Sequence, residues 1–244
     1  MNRTFSNIKT IAKRELASYF NSPVAYIFLI IFLVLTAFFT FNVSAFFERN
    51  EASLSSFFTW HPWLYLVLVP AIGMRQWAEE RRSGTIEMLF TLPVTAAQAI
   101  FGKFFAGWIF LGLALILTFP MVITVNYLGN PDNGVILTGY IGSFLVAGVY
   151  LAITILTSAF TRSQIVSFIT SVVICLFLVL AGWPPVTRVL PPWLDSIVAK
   201  FSVMPHYQTL QRGMVDVQDL FFFVSVMAFA LFATGVVLRS RRAG

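Results

Sequence analysis

The sequence predicts an all-α polytopic membrane protein, and three observations carry that prediction. Hydrophobic residues make up 58% of the 244 and charged residues only 11%, too little polar surface to cover a water-soluble globule of this size. Apolar runs of about 20 residues, long enough for a helix to cross a bilayer, recur along the chain. No alternating strand pattern competes with them, and helices satisfy their own backbone groups where water is absent.

The chain opens on an expected amphipathic interfacial helix over residues 3–20. Phe5, Ile8, Ala12, Leu16 and Tyr19 recur at helical spacing, while Lys9, Lys13 and Arg14 fall toward the opposite arc, the pattern of a helix lying in the headgroup region. These basic residues and Glu15 leave no uninterrupted apolar core, which is the wrong build for a cleavable signal peptide, so the mature chain is expected to begin near Met1. Asn21-Ser22-Pro23 then breaks the helix, with Pro23 suited to the first turn of the next.

Six transmembrane helices follow, over about 24–42, 60–77, 97–126, 138–160, 164–182 and 219–238, with edges uncertain by about 2 to 4 residues. The third contains Pro120 and is long enough to tilt, kink or project from the bilayer. An even number of spans puts both termini on one side. Arg3, Lys9, Lys13, Arg14, Arg75, Arg81, Arg82, Lys103, Arg162, Arg239, Arg241 and Arg242 share that side, against Arg49, Arg188, Lys200 and Arg212 on the other. That excess makes the termini cytoplasmic by the positive-inside rule, and it assigns the net charge of +6 to membrane topology in preference to nucleic acid, for which no role is expected.

On the outer side, residues 43–59 and 127–137 are short connections, the second carrying a Gly129 to Gly134 turn. Residues 183–218 differ in kind. Two Pro-Pro pairs, the helically spaced Trp193, Leu194, Ile197, Val198 and Phe201, and "MPHYQTLQRG" ending in Gly213 predict a helical hairpin dipping into the outer leaflet before the last span.

The cytoplasmic segment 79–96 holds the densest chemistry. Glu79-Glu80-Arg81-Arg82 follows the second span, Gly84-Thr85 can start a short helix with Glu87 in its first turn, Leu92-Pro93 stops it, and Thr95 to Gln98 reads as a capping box launching the third span. A short stiff helix clamped between two spans can transmit a push to both, with the charges orienting a dock and Gly84 permitting the turn. The same residues would also serve simply to anchor topology and solvate the turn.

The stretch "EERRSGTIEMLFTLPVT" resembles the cytoplasmic coupling segment of ABC-2 type permeases, the membrane subunits of ABC transporters. A second stretch, "MPHYQTLQRGMVDVQDLFFF", is similar to the segment before the last span in the gliding-motility-associated branch. With the amino-terminal helix and six-span layout, the resemblance covers nearly the whole chain as a single domain over 1–244. It implies a non-catalytic, exporter-class permease subunit in the bacterial cytoplasmic (inner) membrane, dimerised with a second copy or a related permease and docked on cytosolic ABC ATPase subunits. An extracytoplasmic accessory protein is compatible with this scheme. Coupling would fall on Glu79, Glu80, Arg81, Arg82, Gly84, Thr85 and Glu87. No cofactor is expected in the chain itself: it contains no G-x-x-x-x-G-K-[ST], so ATP and Mg belong to the partner.

Two other classes compete. An intramembrane enzyme would want H-E-x-x-H, G-x-S-x-G or paired membrane carboxylates, none of which occurs. A membrane scaffold anchoring an ATPase for mechanical envelope work would use the same docking handle. No acidic residue falls near a span centre, which weighs against ion-coupled carriers.

Among the remaining residues, His206, Gln208, Arg212 and Asp216 form a polar group that serves as a candidate outer gate or simply as structural packing, with Asp216 and Asp219 expected to begin the last helix. His61, His206 and Met204 are weak metal-ligand candidates, and no metal site is assigned. Thr36, Thr40, Ser167, Thr170 and Ser171 either pack helices or line a path. Lys103 lies near an inner helix end and can snorkel, and Cys175, the sole cysteine, falls inside an apolar run.

Overall fold

The computed structural model describes residues 2–49, 51–85, 94–187, 191, 198 and 200–240, and every regular element among them is helical. Helix α1 (Asn2–Phe20) is followed by α2 (Pro23–Phe38), where the Ser22 side chain accepts from the Val24 amide and Pro23 occupies the first turn. One π turn, Phe39–Val43, extends α2. A short α3 (Ser55–Thr59) leads into α4 (His61–Gly73) and α5 (Arg75–Ser83), separated at Met74 without leaving the α region of backbone space.

The third apolar run divides into α6 (Ala96–Ile116) and α7 (Phe119–Leu128), with Pro120 in the first turn of α7. The break falls where Pro120 lacks the amide that would bond back to Ile116. Then come α8 (Asn133–Phe160), α9 (Gln164–Leu180), α10 (Pro184–Thr187), α11 (Val203–Gln211) and α12 (Val217–Ser240). Asp132 starts α8 five residues earlier than the apolar pattern suggests, because its Oδ1 accepts from the Gly134 and Val135 amides.

Among the described residues, four stretches are long and apolar enough to cross a membrane: Pro23–Val43, Ala96–Leu128, Asn133–Phe160 and Val217–Ser240. The helix Gln164–Leu180 is apolar but shorter. The run expected over 60–77 is the 13-residue α4 continued by the polar α5.

Helix α8 is the centre of the bundle: 83% of its apolar window is buried, against 28 to 33% for the other three long stretches. Small residues let neighbours approach it. A side chain at Gly139 would meet the Phe58 ring at 2.5 Å, and one at Gly148 would meet Trp108 and Met227 at 2.8 Å. Buried Ser171 of α9 contacts Thr157 of α8 at 2.5 Å and also bonds the Ser167 carbonyl, so these hydroxyls join two packed helices. Thr36 and Thr40 bond carbonyls of their own helix, and Thr170 does so on an exposed face. The outward faces of α2, α9 and α12 carry exposed Ile30, Val34, Val173, Phe177, Phe229 and Phe232, an apolar belt suited to lipid.

Both terminal elements meet the start of α6. Gly102 lies against Ile11 of α1, and Gly235 of α12 lies beside Ile100. At the other end of the bundle, Gln211 of α11 donates to the Ser55 carbonyl and Gly213 abuts Val135.

The capping box is present as the sequence predicts: the Gln98 amide donates to Thr95 Oγ1 at 3.2 Å, and the Thr95 amide donates to Gln98 Oε1 at 3.1 Å. Thr95→Ala is expected to lower stability by about 1 kcal/mol, read as a lower melting temperature in detergent. Asn7 Nδ2 of α1 donates to the same Gln98 oxygen, which links the cap to the amino-terminal helix.

Candidate functional site

Helix α1 turns Ile8, Ile11, Ala12, Glu15, Leu16 and Tyr19 inward, while Lys9, Lys13 and Arg14 remain exposed. Its apolar face rests on protein, chiefly α6, and Phe5 stands outside that contact at 72% exposure. Within this face Glu15 reaches Lys103, which α6 presents from the other side. Lys103 Nζ lies 3.2 Å from Glu15 Oε1 and 2.8 Å from Glu80 Oε1, and its side chain is only 4% exposed. The ammonium also sits 5.3 Å from the centre of the buried Trp77 ring. Lys103 therefore turns into the protein instead of reaching for water.

Burying an ammonium costs several kcal/mol unless it is well paired. Two carboxylates and an aromatic face supply that pairing here, drawn from two helices: Glu15 from α1, Trp77 and Glu80 from α5. The ion cluster thus ties α1, α5 and α6 together at one point.

Further bonds fix α5 on its other sides. Gln76 Nε2 donates to the Tyr19 hydroxyl at 2.9 Å. Burial pushes the Tyr19 phenol above its ordinary range, so this hydroxyl remains neutral. The Trp77 amide, one of the first-turn donors that a helix leaves unpaired, donates to Ser158 Oγ of α8 at 3.2 Å. Arg81 donates to the Ala159 carbonyl in the last turn of α8, where a cation also meets the negative helix end.

The outward side of α5 differs. Glu79 pairs with Arg75 at 3.1 Å as an exposed i,i+4 couple, and Arg82, Ser83, Gly84 and Thr85 are exposed. Gly84 closes α5, and Thr85 directly after it is helical again, where the sequence predicts a short helix to start. The Gly84 φ of +72° is left-handed, the conformation that closes a helix and that a residue without Cβ adopts freely. Glu87, with the rest of 86–93, lies outside the described residues.

At the opposite end, the candidate gate residues separate. His206 Nδ1 lies 2.6 Å from Asp219 Oδ1, and its ring stacks on Phe222 with centroids 4.1 Å apart. Asp219 stands in the first turn of α12 as expected and also reaches across to α11, while Asp216 Oδ1 accepts from the Gln218 amide. Gly213, at φ +85°, closes α11 before Asp216, and Met214 bonds back to the Thr209 carbonyl. Gln208 and Arg212 line a small cleft of about 270 Å³ with Ser55 and Thr59.

A neighbouring chain of hydroxyls went unread in the sequence. The Tyr207 hydroxyl donates to the Phe58 carbonyl at 2.7 Å and meets Ser143 Oγ at 3.1 Å, which contacts His61 Nδ1 at 2.7 Å. His61 and His206 thus serve different partners, and no group of three or more metal-ligating side chains occurs among the described residues.

A family model described as "ABC-2 family transporter protein" matches residues 64–195, more than half of the chain. The chain belongs to the ABC-2 transporter family. It is therefore a membrane component of the ABC transport systems, a family that generally works with cytosolic ATPase subunits. No curated protein matches the chain. Within this ABC-2 chain the match includes α5, α6 and α8, and so Glu80, Lys103 and Ser158, while α1 with Glu15 precedes it. The signal for the ion cluster was present in two residues: an acid on the apolar face of α1 and a lysine inside an apolar run. Their separation of 88 positions hid the pairing.

Proposed function

We propose that this ABC-2 chain is the six-span permease subunit of an exporter-class ABC transporter in a bacterial cytoplasmic membrane, with one domain over 1–244 and both termini inside. It works as a dimer, with itself or a related permease, and is driven by separate ATPase subunits that bind ATP and Mg. The similarity of "MPHYQTLQRGMVDVQDLFFF" to the gliding-motility-associated permeases supports that branch. The excess of Arg and Lys on the side of the termini supports the orientation.

One observation carries the reading: α5 is held by α1 and α6 on one side and by α8 on another, yet its last turn is exposed. An ATPase pressing on Arg82, Gly84 and Thr85, with Glu79 at the rim, moves a braced element instead of a loose loop. Glu80 and Arg81 act within the brace, and residues 86–93, Glu87 included, complete the contact. Closure of two ATPase subunits then shifts the helices between inward-facing and outward-facing states. At the far end, α11 with His206, Gln208, Arg212 and Asp216 forms the outer gate.

Arg82→Glu tests this reading, because Arg82 is exposed and its loss leaves the ion cluster intact. The partner ATPase is expected to co-purify about tenfold less well, with unchanged amounts of permease in the membrane. Undiminished co-purification would remove the docking role from this turn.

A further inference from the structure

A cleft of about 490 Å³ opens beside the ion cluster, at the end of the bundle where both terminal helices lie. Its lining is two-sided. Val24, Ala25, Ala71, Ile72 and Phe110 form an apolar wall from α2, α4 and α6, and polar side chains from α1, α5 and α6 form the other. An amphiphile standing at the membrane boundary meets surfaces of this kind.

The polar wall is specific about what it lacks. Gln76 is 7% exposed, lines the cleft, and its Oε1 is buried without a hydrogen-bond partner. Glu80 also lines the cleft, and its Oε2 is likewise buried and unpartnered. Both are acceptors, and a buried acceptor left unmet is costly. The cations of the wall are already engaged: Lys103 with Glu15 and Glu80, Arg75 with Glu79, and Arg14 with Glu15. The site is therefore short of N–H donors on its inner side. At its rim, Arg14 and Arg75 each donate a hydrogen bond to a carboxylate, and a guanidinium carries five N–H groups.

We propose that this cleft binds the headgroup of an aminophospholipid, with the primary ammonium donating to Gln76 Oε1 and Glu80 Oε2. The phosphodiester lies toward Arg14 and Arg75, and the acyl chains leave along Val24 and Ile72. A primary ammonium has three donors and so meets both orphan acceptors; the trimethylated ammonium of a choline headgroup has none and leaves them unmet. The inference rests on the cleft and stands apart from the transport reading, since it requires neither ATPase nor dimer.

The test titrates dioctanoyl phosphatidylethanolamine, its N,N-dimethyl analogue, dioctanoyl phosphatidylcholine and dioctanoyl phosphatidylglycerol into the purified full-length chain in maltoside, by calorimetry. Glycerophosphoethanolamine, which lacks chains, shows whether a free headgroup suffices. The ethanolamine lipid is expected to bind about tenfold more tightly than the choline lipid, with the dimethyl analogue between them, and more tightly than the glycerol lipid, whose hydroxyls donate but which brings no cation to Glu80. Glu80→Gln is expected to reduce the ethanolamine affinity about tenfold. Ala71→Trp, which fills the cleft while leaving every polar side chain of its lining in place, is expected to abolish it with the melting temperature retained. Equal binding of the ethanolamine and choline lipids by the wild-type chain overturns the proposal without reference to any variant. So does tighter binding of the choline lipid, which would mark recognition by the rings of Tyr19 and Phe110.

Discussion

Lys103→Met is expected to destabilise the protein by about 3 kcal/mol, because it leaves Glu15 and Glu80 facing each other with their shared counter-ion gone. At about 2 to 4 °C per kcal/mol for a chain of this length, the melting temperature in detergent falls by about 6 to 12 °C. The deficit arises from uncompensated charge, not from a missing side-chain volume, since methionine nearly matches the lysine stem. A chain carrying Glu15→Gln, Lys103→Met and Glu80→Gln together is therefore expected to recover most of the loss. Recovery fails if Lys103 serves only as packing. The single variant is also expected to weaken communication with the ATPase partner, because α1 and α6 then lose their common tie to α5.

Gly102→Val is expected to lift α1 from the bundle. A Cβ at this position would lie 2.6 Å from Ile11 Cγ2 and 2.8 Å from its Cβ, and the Ile8 carbonyl stands 3.4 Å away. A branched carbon so close to the backbone cannot swing aside, so the helix itself must shift. Overpacking of this kind costs about 1 to 3 kcal/mol, but its signature is local. Displacing α1 exposes its inward face and separates Glu15 from Lys103. Limited trypsin digestion at Lys9, Lys13 and Arg14 is expected to accelerate about tenfold, as more than 1 kcal/mol of local protection is lost, while sites elsewhere retain their rates. A uniform rise across the chain would indicate global loosening instead.

These two variants act on contacts whose partners are far apart in sequence, and that separation decides how much of the molecule was legible beforehand. Local signals read well. The Thr95–Gln98 capping box, the Ser22–Pro23 helix start and the Pro120 break each depend on residues within a few positions of one another. The period of α1 identified an amphipathic helix, but amphipathicity does not say whether lipid or protein covers the apolar face. The structure places it against α6, which explains why Ile11 and Glu15 face inward and Phe5 does not. Asp219 illustrates the same limit. As an acid in a first helical turn it is already favoured, so nothing local announces that His206 takes its carboxylate.

At the candidate site, charge pattern alone treated Glu79, Glu80, Arg81 and Arg82 as one exposed group. Helical geometry divides them: Glu80 and Arg81 turn toward Lys103 and α8, and Glu79 and Arg82 turn outward. Gly84 was legible as a turn, and its left-handed φ between the end of α5 and the helical Thr85 is the conformation a residue without Cβ adopts freely.

The most direct measurement of the central claim, that an exposed turn braced by α1, α6 and α8 receives force from a cytosolic ATPase, is thiol labelling at Arg82. The one native cysteine, Cys175, is buried and does not compete. With Arg82→Cys and a membrane-impermeant maleimide, labelling is expected in inverted vesicles, absent in intact cells, and blocked when the ATPase subunit is bound. Labelling of intact cells, or labelling in vesicles that bound ATPase leaves unchanged, would contradict it.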